Sequence, residues 1–262
     1  MGAIEEDEQY KSYCGDWQYV MATIPDAGVD AVITDPPYGY GLADWDKPID
    51  MQSFSREVKR VVQPDGLYAV FGQMPTIFAW HEAAMQAGMA FLECIVWVKR
   101  IMTPGHRLSR LPGMRLQYIK DLRLGGIKIT HSPRTGDPYA RFDKKPASSR
   151  SPRVANYTNV WSFLPPNQAK RRKVPTDHPT EKPLLVMERL VEMCTLPDQI
   201  VLDPFMGSGT TGVAALRLGR RFIGGEKYFP YLVEAQRRLR EDVQQEEVVC
   251  QRNGCNQMEL PI

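Results

Sequence analysis

Apolar and polar positions follow two alternating periods along the first hundred residues. Residues 29–35 (VDAVITD) form a short apolar run typical of a buried strand, whereas Phe54, Val58 and Val61 recur at the spacing of one helix face. Glycine and proline separate successive runs and mark turns between them. The pattern predicts strands over 10–16, 29–35, 67–72 and 90–98, and helices over 53–62 and 75–87.

The same alternation returns at residue 178. Thr180 and Pro183 occupy the cap and first turn of a predicted helix, and Val186, Leu190 and Met193 continue its apolar stripe. Further along the chain the pattern predicts strands over 199–205 and 221–226, a glycine-initiated helix ending at 219 and a long helix over 229–245. Such alternation indicates an α/β fold with a doubly wound, mostly parallel sheet.

The intervening segment, residues 99–177, differs in composition. Between 99 and 173 it has 18 lysines and arginines against 3 acids, a net charge of +15, although the whole chain carries only +2. It also contains aromatic residues such as Tyr139 and Trp161, which a purely solvating tail does not need. We therefore predict four units: half-domains at 1–98 and 178–247, a basic DNA-binding, target-recognition insertion at 99–177, and a tail at 248–262.

A basic block of this size favours a nucleic-acid partner. Phosphate contacts and guanine recognition are the expected roles of its cations. The candidate DNA-binding residues are Arg107, Arg110, Arg115, Lys144, Lys145, Lys170, Arg171, Arg172 and Lys173.

The composition indicates the cellular compartment of the protein and whether it contains metal sites or disulfides. Hydrophobic residues make up 43% and charged residues 24%, values ordinary for a soluble protein. There is no apolar run of membrane-spanning length, and the start, MGAIEEDEQY, lacks the pattern of a signal peptide. The five scattered cysteines have no zinc-site spacing. We expect a cytoplasmic protein, associated with the nucleoid through DNA, without membrane contact, metal or disulfides.

The first chemical motif is LDPFMGSGTT, residues 202–211, at a strand-to-helix junction. Its small residues allow a ligand close to the backbone, and the helix start offers free N–H groups. The lysine of a phosphate-binding P-loop is missing. Glu226 ends the next strand, where an acid can accept hydrogen bonds from both ribose hydroxyls. This combination favours a nucleoside without a pyrophosphate.

The second motif is Asp35-Pro36-Pro37-Tyr38, at the carboxyl end of a predicted strand. The two prolines fix the turn and remove backbone donors, which leaves carbonyl acceptors. A carboxylate, a carbonyl and an aromatic ring together suit a flat ring bearing an amino group: Asp35 and the Pro36 carbonyl accept its hydrogens while Tyr38 stacks on it.

Two stretches that contain these motifs resemble the DNA amino-methyltransferase family. They are residues 15–38 (GDWQYVMATIPDAGVDAVITDPPY) and residues 178–239, from HPTEKP through LDPFMGSGTT to the end of EAQRRL. The DPPY element precedes the glycine motif, as in the permuted β-group order. The resemblance implies a Rossmann-like methyltransferase fold and transfer of a methyl group from S-adenosylmethionine to the amino group of a flipped base, N6 of adenine being favoured.

Roles for individual residues follow from this resemblance. The DPPY residues would be catalytic, Glu226 would hold the ribose, Asp16 would face the cofactor's adenine, and Lys182-Pro183 with His178 would lie beside its methionine end. The resemblance also implies double-stranded DNA as the partner, and a homodimer is possible for this family. The implied cofactor-binding residues are Asp16, Lys182, Pro183, Asp203, Pro204, Phe205, Gly207, Ser208, Gly209, Thr210 and Glu226.

Three alternatives stay open on the sequence. The same chemistry could act on N4 of cytosine, although aspartate rather than serine before Pro-Pro-Tyr favours adenine in this family. The same pocket could also accept RNA. The third hypothesis is a protein that keeps the fold and binds nucleic acid but has lost catalysis. The intact acid, glycines and tyrosine of the two motifs argue against it.

Overall fold

The computed structural model describes residues 4–39, 46–73, 76–99, 123–131, 160–162 and 181–252. Within these residues, nine strands form one sheet with the order β1-β2-β9-β8-β3-β4-β6-β5-β7. The strands are β1 (Ile4–Glu6), β2 (Tyr10–Cys14), β3 (Val29–Thr34), β4 (Val62–Gln73), β5 (Ala90–Lys99), β6 (Arg123–His131), β7 (Val160–Ser162), β8 (Ile200–Asp203) and β9 (Arg221–Glu226).

The centre of the sheet is parallel. Strands β2, β9, β8, β3 and β4 run in one direction, and β5 and β7 are parallel to each other. Antiparallel pairing is confined to β1 at the edge and to β6, which lies between β4 and β5. The expected α/β fold with a mostly parallel sheet is thus confirmed.

Helices cover both faces of the sheet, which makes the fold doubly wound. Phe54, Val58 and Val61 are fully buried on one face, as their spacing predicted, and Val186 and Leu190 are fully buried on the other. None of the helices in the described ranges is long and apolar enough to cross a bilayer. The helices are α1 (Trp17–Ala22), α2 (Met51–Val61) and α3 (Thr76–Gln86) on the first face, and α4 (Leu184–Cys194), α5 (Thr210–Arg217) and α6 (Phe229–Arg252) on the second.

Strands β3 and β8 are neighbours although about 170 residues separate them in sequence. Ala31 pairs with Val201 and Val32 with Leu202 in parallel register. The chain continues from β3 to α2 on one face and from β8 to α5 on the other face. The two strands therefore flank a topological switch point, where the carboxyl ends of parallel strands leave a crevice for ligands. This adjacency brings the two sequence motifs together at one edge of the sheet.

Two strands come from the segment assigned to the basic insertion. β6 pairs along its whole length with β4 and β5, and β7 extends the sheet beyond β5. The range 99–177 is therefore not wholly separate from the central sheet. The sequence RLGGIKITH hides its strand pattern because two glycines interrupt the alternation of apolar residues. The remainder of this range lies outside the described residues.

Several boundaries also differ from the sequence pattern. β4 begins directly after α2 and includes 64–66, since an irregular register against β3 accommodates these extra residues. Pro183 is the N-cap of α4 rather than part of its first turn. α6 continues to Arg252, into the predicted tail, because no glycine or proline occurs between Pro230, in its first turn, and Gly254. The pattern also missed β1 and α1.

Candidate active site

A cavity of about 600 Å³ lies at the carboxyl edge of the central strands. It receives residues from the ends of β2, β3, β8 and β9 and from the segment before α4, so that the two sequence motifs line the same space. Pro183 and Gly209 do not line it, and the nine candidate DNA-binding residues and His178 lie outside the described residues. The predicted site residues that line it are Asp16, Asp35, Pro36, Pro37, Tyr38, Lys182, Asp203, Pro204, Phe205, Gly207, Ser208, Thr210 and Glu226.

The DPPY corner follows directly on β3. The Tyr38 hydroxyl donates a hydrogen bond of 2.5 Å to Asp35 Oδ1, and the Lys182 ammonium forms an ion pair with Asp35 Oδ2. Both partners of this ion pair are largely buried, with side-chain exposures of 12% for Lys182 and 23% for Asp35. The carboxylate is thus held in one orientation, with part of its surface open to the cavity.

Asp203, at the end of β8, joins three parts of the site. Its Oδ1 accepts hydrogen bonds from the Thr34 hydroxyl (2.7 Å) and the Phe205 N–H (3.1 Å), and its Oδ2 accepts one from the Thr211 hydroxyl (2.6 Å). Burial raises its pKa to about 6, although these bonds favour the ionised form. Since both oxygens bind protein donors, Asp203 braces the ends of β3 and β8 against α5.

Glu226 ends β9 and faces the cavity. Its Oε2 accepts a hydrogen bond from the Gly207 N–H (3.0 Å) and its Oε1 from the Tyr228 N–H (2.6 Å). Burial raises its pKa to about 7. A carboxylate has about four acceptor positions, so two backbone donors leave one on each oxygen. This arrangement fits a vicinal diol, such as that of a ribose.

The glycine turn between β8 and α5 needs left-handed backbone at two positions. Gly207 has φ 53° and Gly209 φ 77°, a region that disfavours residues with a Cβ. Gly209 is the N-cap of α5, and a Cβ there would lie 3.0 Å from the Cβ of Ala235 in α6. Gly209 therefore permits helix packing behind the cavity, and its predicted contact with the cofactor stays a prediction.

Replacing Gly209 by alanine is expected to lower the free energy of unfolding by about 1 to 3 kcal/mol, because it adds backbone strain and a tight contact. Gly219 is a matched control, since it has φ 68° but nothing within 4 Å of a Cβ. Urea denaturation of Gly209→Ala and Gly219→Ala measures both effects. Equal losses in the two variants would show that the contact with Ala235 is unimportant.

Two residues that the sequence analysis did not select, Arg238 and Glu181, stabilise the site through hydrogen bonds and an ion pair. The Arg238 guanidinium donates to the Ser208 carbonyl (2.5 Å) and to the hydroxyls of Ser208 (3.0 Å) and Thr210 (3.2 Å). It also forms a buried ion pair with Glu181 (3.1 Å), next to Lys182. Arg238 thereby ties the glycine turn to the segment before α4. The sequence feature that could have indicated this role is the position of Arg238 three residues after Ala235, on the apolar stripe of α6.

Aromatic side chains form part of the cavity wall. Phe205 packs on the buried Phe54 with ring centroids 5.5 Å apart, which fixes the turn after β8. Tyr228 and Tyr231 line the cavity beside Glu226, their rings edge to face at 4.8 Å, and Tyr228 is 46% exposed. An acid with open acceptor positions beside an accessible aromatic ring suits a nucleoside.

Comparisons with known proteins agree with this geometry. A family model described as DNA methylase matches residues 29–237. The Type II methyltransferase M2.DpnII of Streptococcus pneumoniae is 30% identical over 80% of this chain and 82% of its own. The Type II methyltransferase M2.LlaDCHI of Lactococcus lactis subsp. cremoris is 29% identical over 84% and 85%.

The crystal structure of the M1.HpyAVI–SAM complex is similar in fold and sequence. Its TM-score is 0.61 at 28% identity, and the match covers 88% of this chain and 100% of that chain. The matched range of the family model includes the DPPY corner, the glycine turn and Glu226, which here share one cavity. The chain belongs to the DNA methylase family.

Proposed function

We propose that this DNA methyltransferase methylates N6 of adenine in double-stranded DNA, with S-adenosylmethionine as the methyl donor. The observation that supports the proposal is the shared cavity, in which Asp35 and Glu226 project from strand ends on either side of the glycine turn. Asp35 supplies an acceptor for an amino group, and Glu226 supplies acceptors for a ribose.

The described residues fit this cofactor. Glu226 keeps acceptor positions for the two ribose hydroxyls, and Tyr228 offers a ring beside it. Asp16 caps α1 by accepting from the Tyr19 N–H (2.9 Å), which fixes the side chain at the cavity rim, where it would face the adenine. Bound here, S-adenosylmethionine supplies a methyl group activated by a positively charged sulfur.

The residues of the DPPY corner would act on the target amine. That nitrogen is a weak nucleophile because its lone pair is delocalised into the ring. Asp35 and the Pro36 carbonyl would accept its two hydrogens, which favours a pyramidal nitrogen with a localised lone pair. The Asp35 carboxylate would also stabilise the positive charge that develops on the nitrogen during transfer, before a proton is lost. Alignment and electrostatics are thus the main contributions of the protein.

A base within a duplex cannot enter this cavity, so it would have to leave the stack, at a cost of a few kcal/mol. Stacking on Tyr38 would offset about 1 to 3 kcal/mol of that cost. The nine basic residues between 107 and 173 would hold the phosphates and read the flanking bases, and these contacts stay a prediction from the sequence.

Identification of the methylated nucleoside tests the proposal. Unmethylated genomic DNA is incubated with the purified protein and tritiated S-adenosylmethionine, and the DNA is then digested to nucleosides and separated by chromatography. We expect the label in N6-methyladenosine of the deoxy series, and sequencing of the modified DNA then gives the recognition site. Label in N4-methylcytosine would refute the choice of adenine. Absence of label in DNA would refute catalysis.

A further inference from the structure

The Lys182 side chain connects the two halves of the site. Its backbone follows Glu181, which Arg238 ties to the glycine turn, and it precedes Pro183, the N-cap of α4. Its ammonium group reaches across the cavity to Asp35 and lies 5.4 Å from the centroid of the Phe71 ring. The backbone of Lys182 is thus anchored beside the glycine turn, whereas its ammonium group pairs with Asp35 in the DPPY corner.

This ion pair opposes the role proposed for Asp35. The carboxylate should attract an amine whose nitrogen becomes positive, but the Lys182 ammonium already neutralises it and occupies Oδ2. The Tyr38 hydroxyl occupies a position on Oδ1. A neutral amine that approached would find a partly filled acceptor, and the positive charge that develops on its nitrogen during transfer would be opposed by the ammonium group. Efficient transfer therefore requires that Lys182 leave Asp35.

The cavity offers Lys182 an alternative when a zwitterionic ligand enters. Among the described residues that line the cavity, the cations are Lys47, Lys182 and Lys227. Lys47 is exposed, and Lys227 directly follows Glu226 at the ribose end. Lys182 is the cation whose backbone is tied to the glycine turn, and a flexible four-carbon side chain lets its ammonium pair with a carboxylate bound there.

We propose that Lys182 caps Asp35 in the cofactor-free protein and transfers its ion pair to the cofactor's carboxylate on binding. This exchange would expose Asp35 only after the methyl donor is in place, so that cofactor binding precedes capture of the base. The proposal rests on the proposed function and adds an order of binding to it. Lys182 acts here as a positioning residue, because it controls the availability of Asp35.

The test measures base capture, the movement of the target base out of the duplex into the cavity, instead of methyl transfer. A duplex with the recognition site carries the fluorescent analogue 2-aminopurine at the methylated position, and its fluorescence rises when the base leaves the stack. Sinefungin, which has the cofactor's carboxylate, is compared with 5′-methylthioadenosine, which lacks it. In the parental protein we expect sinefungin to strengthen base capture roughly 10- to 100-fold, because its carboxylate removes Lys182 from Asp35. We expect methylthioadenosine to have little effect.

The Lys182→Met variant should capture the base without any cofactor as strongly as the parental protein does with sinefungin, and sinefungin should add little. Lys11→Met is the matched control, because Lys11 pairs with Glu6 on the edge strands, away from the cavity, and this variant should behave like the parent. Thermal melting verifies that each variant is folded, and Lys182→Gln serves in place of an unfolded Lys182→Met.

Two outcomes would overturn the exchange: a cofactor-free variant at residue 182 that captures the base no better than the parent, or a parental protein that responds equally to both ligands. Failure of the proposed function looks different. In that case the parental protein would capture no base with either ligand and would transfer no methyl group, whereas methyl transfer without ligand-dependent capture would refute the exchange alone.

Discussion

Replacing Asp35 by alanine is expected to reduce methyl transfer by about 10³-fold or more while S-adenosylmethionine still binds. The side chain is the acid of the DPPY corner, and its carboxylate opens to the cavity at the end of β3. Its loss removes both an acceptor for the target amine and the negative charge that stabilises the developing positive charge. Removal of one such electrostatic group typically costs about 10² to 10³ in rate.

Cofactor binding should survive because Glu226, proposed to hold the ribose, is positioned independently of Asp35, and loss of Asp35 releases Lys182 for the cofactor's carboxylate. Glu226 is positioned by the Gly207 and Tyr228 N–H groups. Asp35→Asn separates the two contributions of the carboxylate, since the amide keeps one acceptor oxygen but no charge. We expect this variant to be closer to alanine than to the parent in rate, because charge stabilisation is the larger contribution.

Single-turnover rates with tritiated cofactor and calorimetric cofactor affinities provide the measurement. Asp26→Ala is a suitable control, because Asp26 forms an exposed ion pair with Arg60, its side chain being 82% exposed, and such pairs contribute little to stability. A variant at Asp35 that methylates at the parental rate would refute the assigned role. An equal loss of cofactor affinity and rate would assign Asp35 to cofactor binding.

Local sequence patterns were sufficient for the fold class and for the residues that end the central strands, although they missed β1, β6 and α1. Asp35, Asp203 and Glu226 each follow a clear apolar run, and carboxyl ends of parallel strands meet at one edge of a sheet. Their convergence could be predicted because short parallel strands joined through helices have few possible arrangements.

Contacts between distant elements could not be predicted in the same way. Arg238 lies on the apolar stripe of α6, but the sequence does not indicate that Glu181 is its partner, and only the packing of α6 behind the glycine turn brings the two together. The ion pair of Lys182 with Asp35 likewise joins residues 147 positions apart. The role of Asp203 was also incomplete from sequence, since a strand-terminal acid gives no sign that three internal donors will bind its two oxygens.

The second prediction with a large effect concerns Glu226: the affinity of the protein for the cofactor should depend on pH. Its pKa is raised from an ordinary 4.5 to about 7, so the ligand-free protein holds it mainly protonated at pH 6. A protonated carboxyl offers fewer acceptor positions than a carboxylate to the two ribose hydroxyls. Affinity should therefore fall by roughly tenfold between pH 8 and pH 6, since one pKa unit corresponds to a tenfold change in population.

The sign of the effect on stability is opposite to that on binding. The raised pKa means that the folded protein is favoured by protonation of Glu226. Its contribution is fully present below about pH 4.5 and is lost as pH rises through about 7, an effect of about 3 kcal/mol. Burial of Asp203, whose pKa is raised to about 6, acts in the same direction. The ligand-free protein should thus lose stability over this range, and a ribose-bearing ligand should restore part of it.

Titration with 5′-methylthioadenosine tests this account, because that ligand keeps the ribose but lacks the amino and carboxyl groups that titrate in S-adenosylmethionine. Calorimetry in two buffers of different ionisation enthalpy should show proton release on binding at pH 6 and little at pH 8.5. Glu226→Gln should bind about 10²-fold more weakly at pH 8, as two charge-assisted hydrogen bonds are weakened, and should show a flat pH profile. A variant that kept the parental profile would locate the titrating group elsewhere, with Asp203 the next to test through Asp203→Asn.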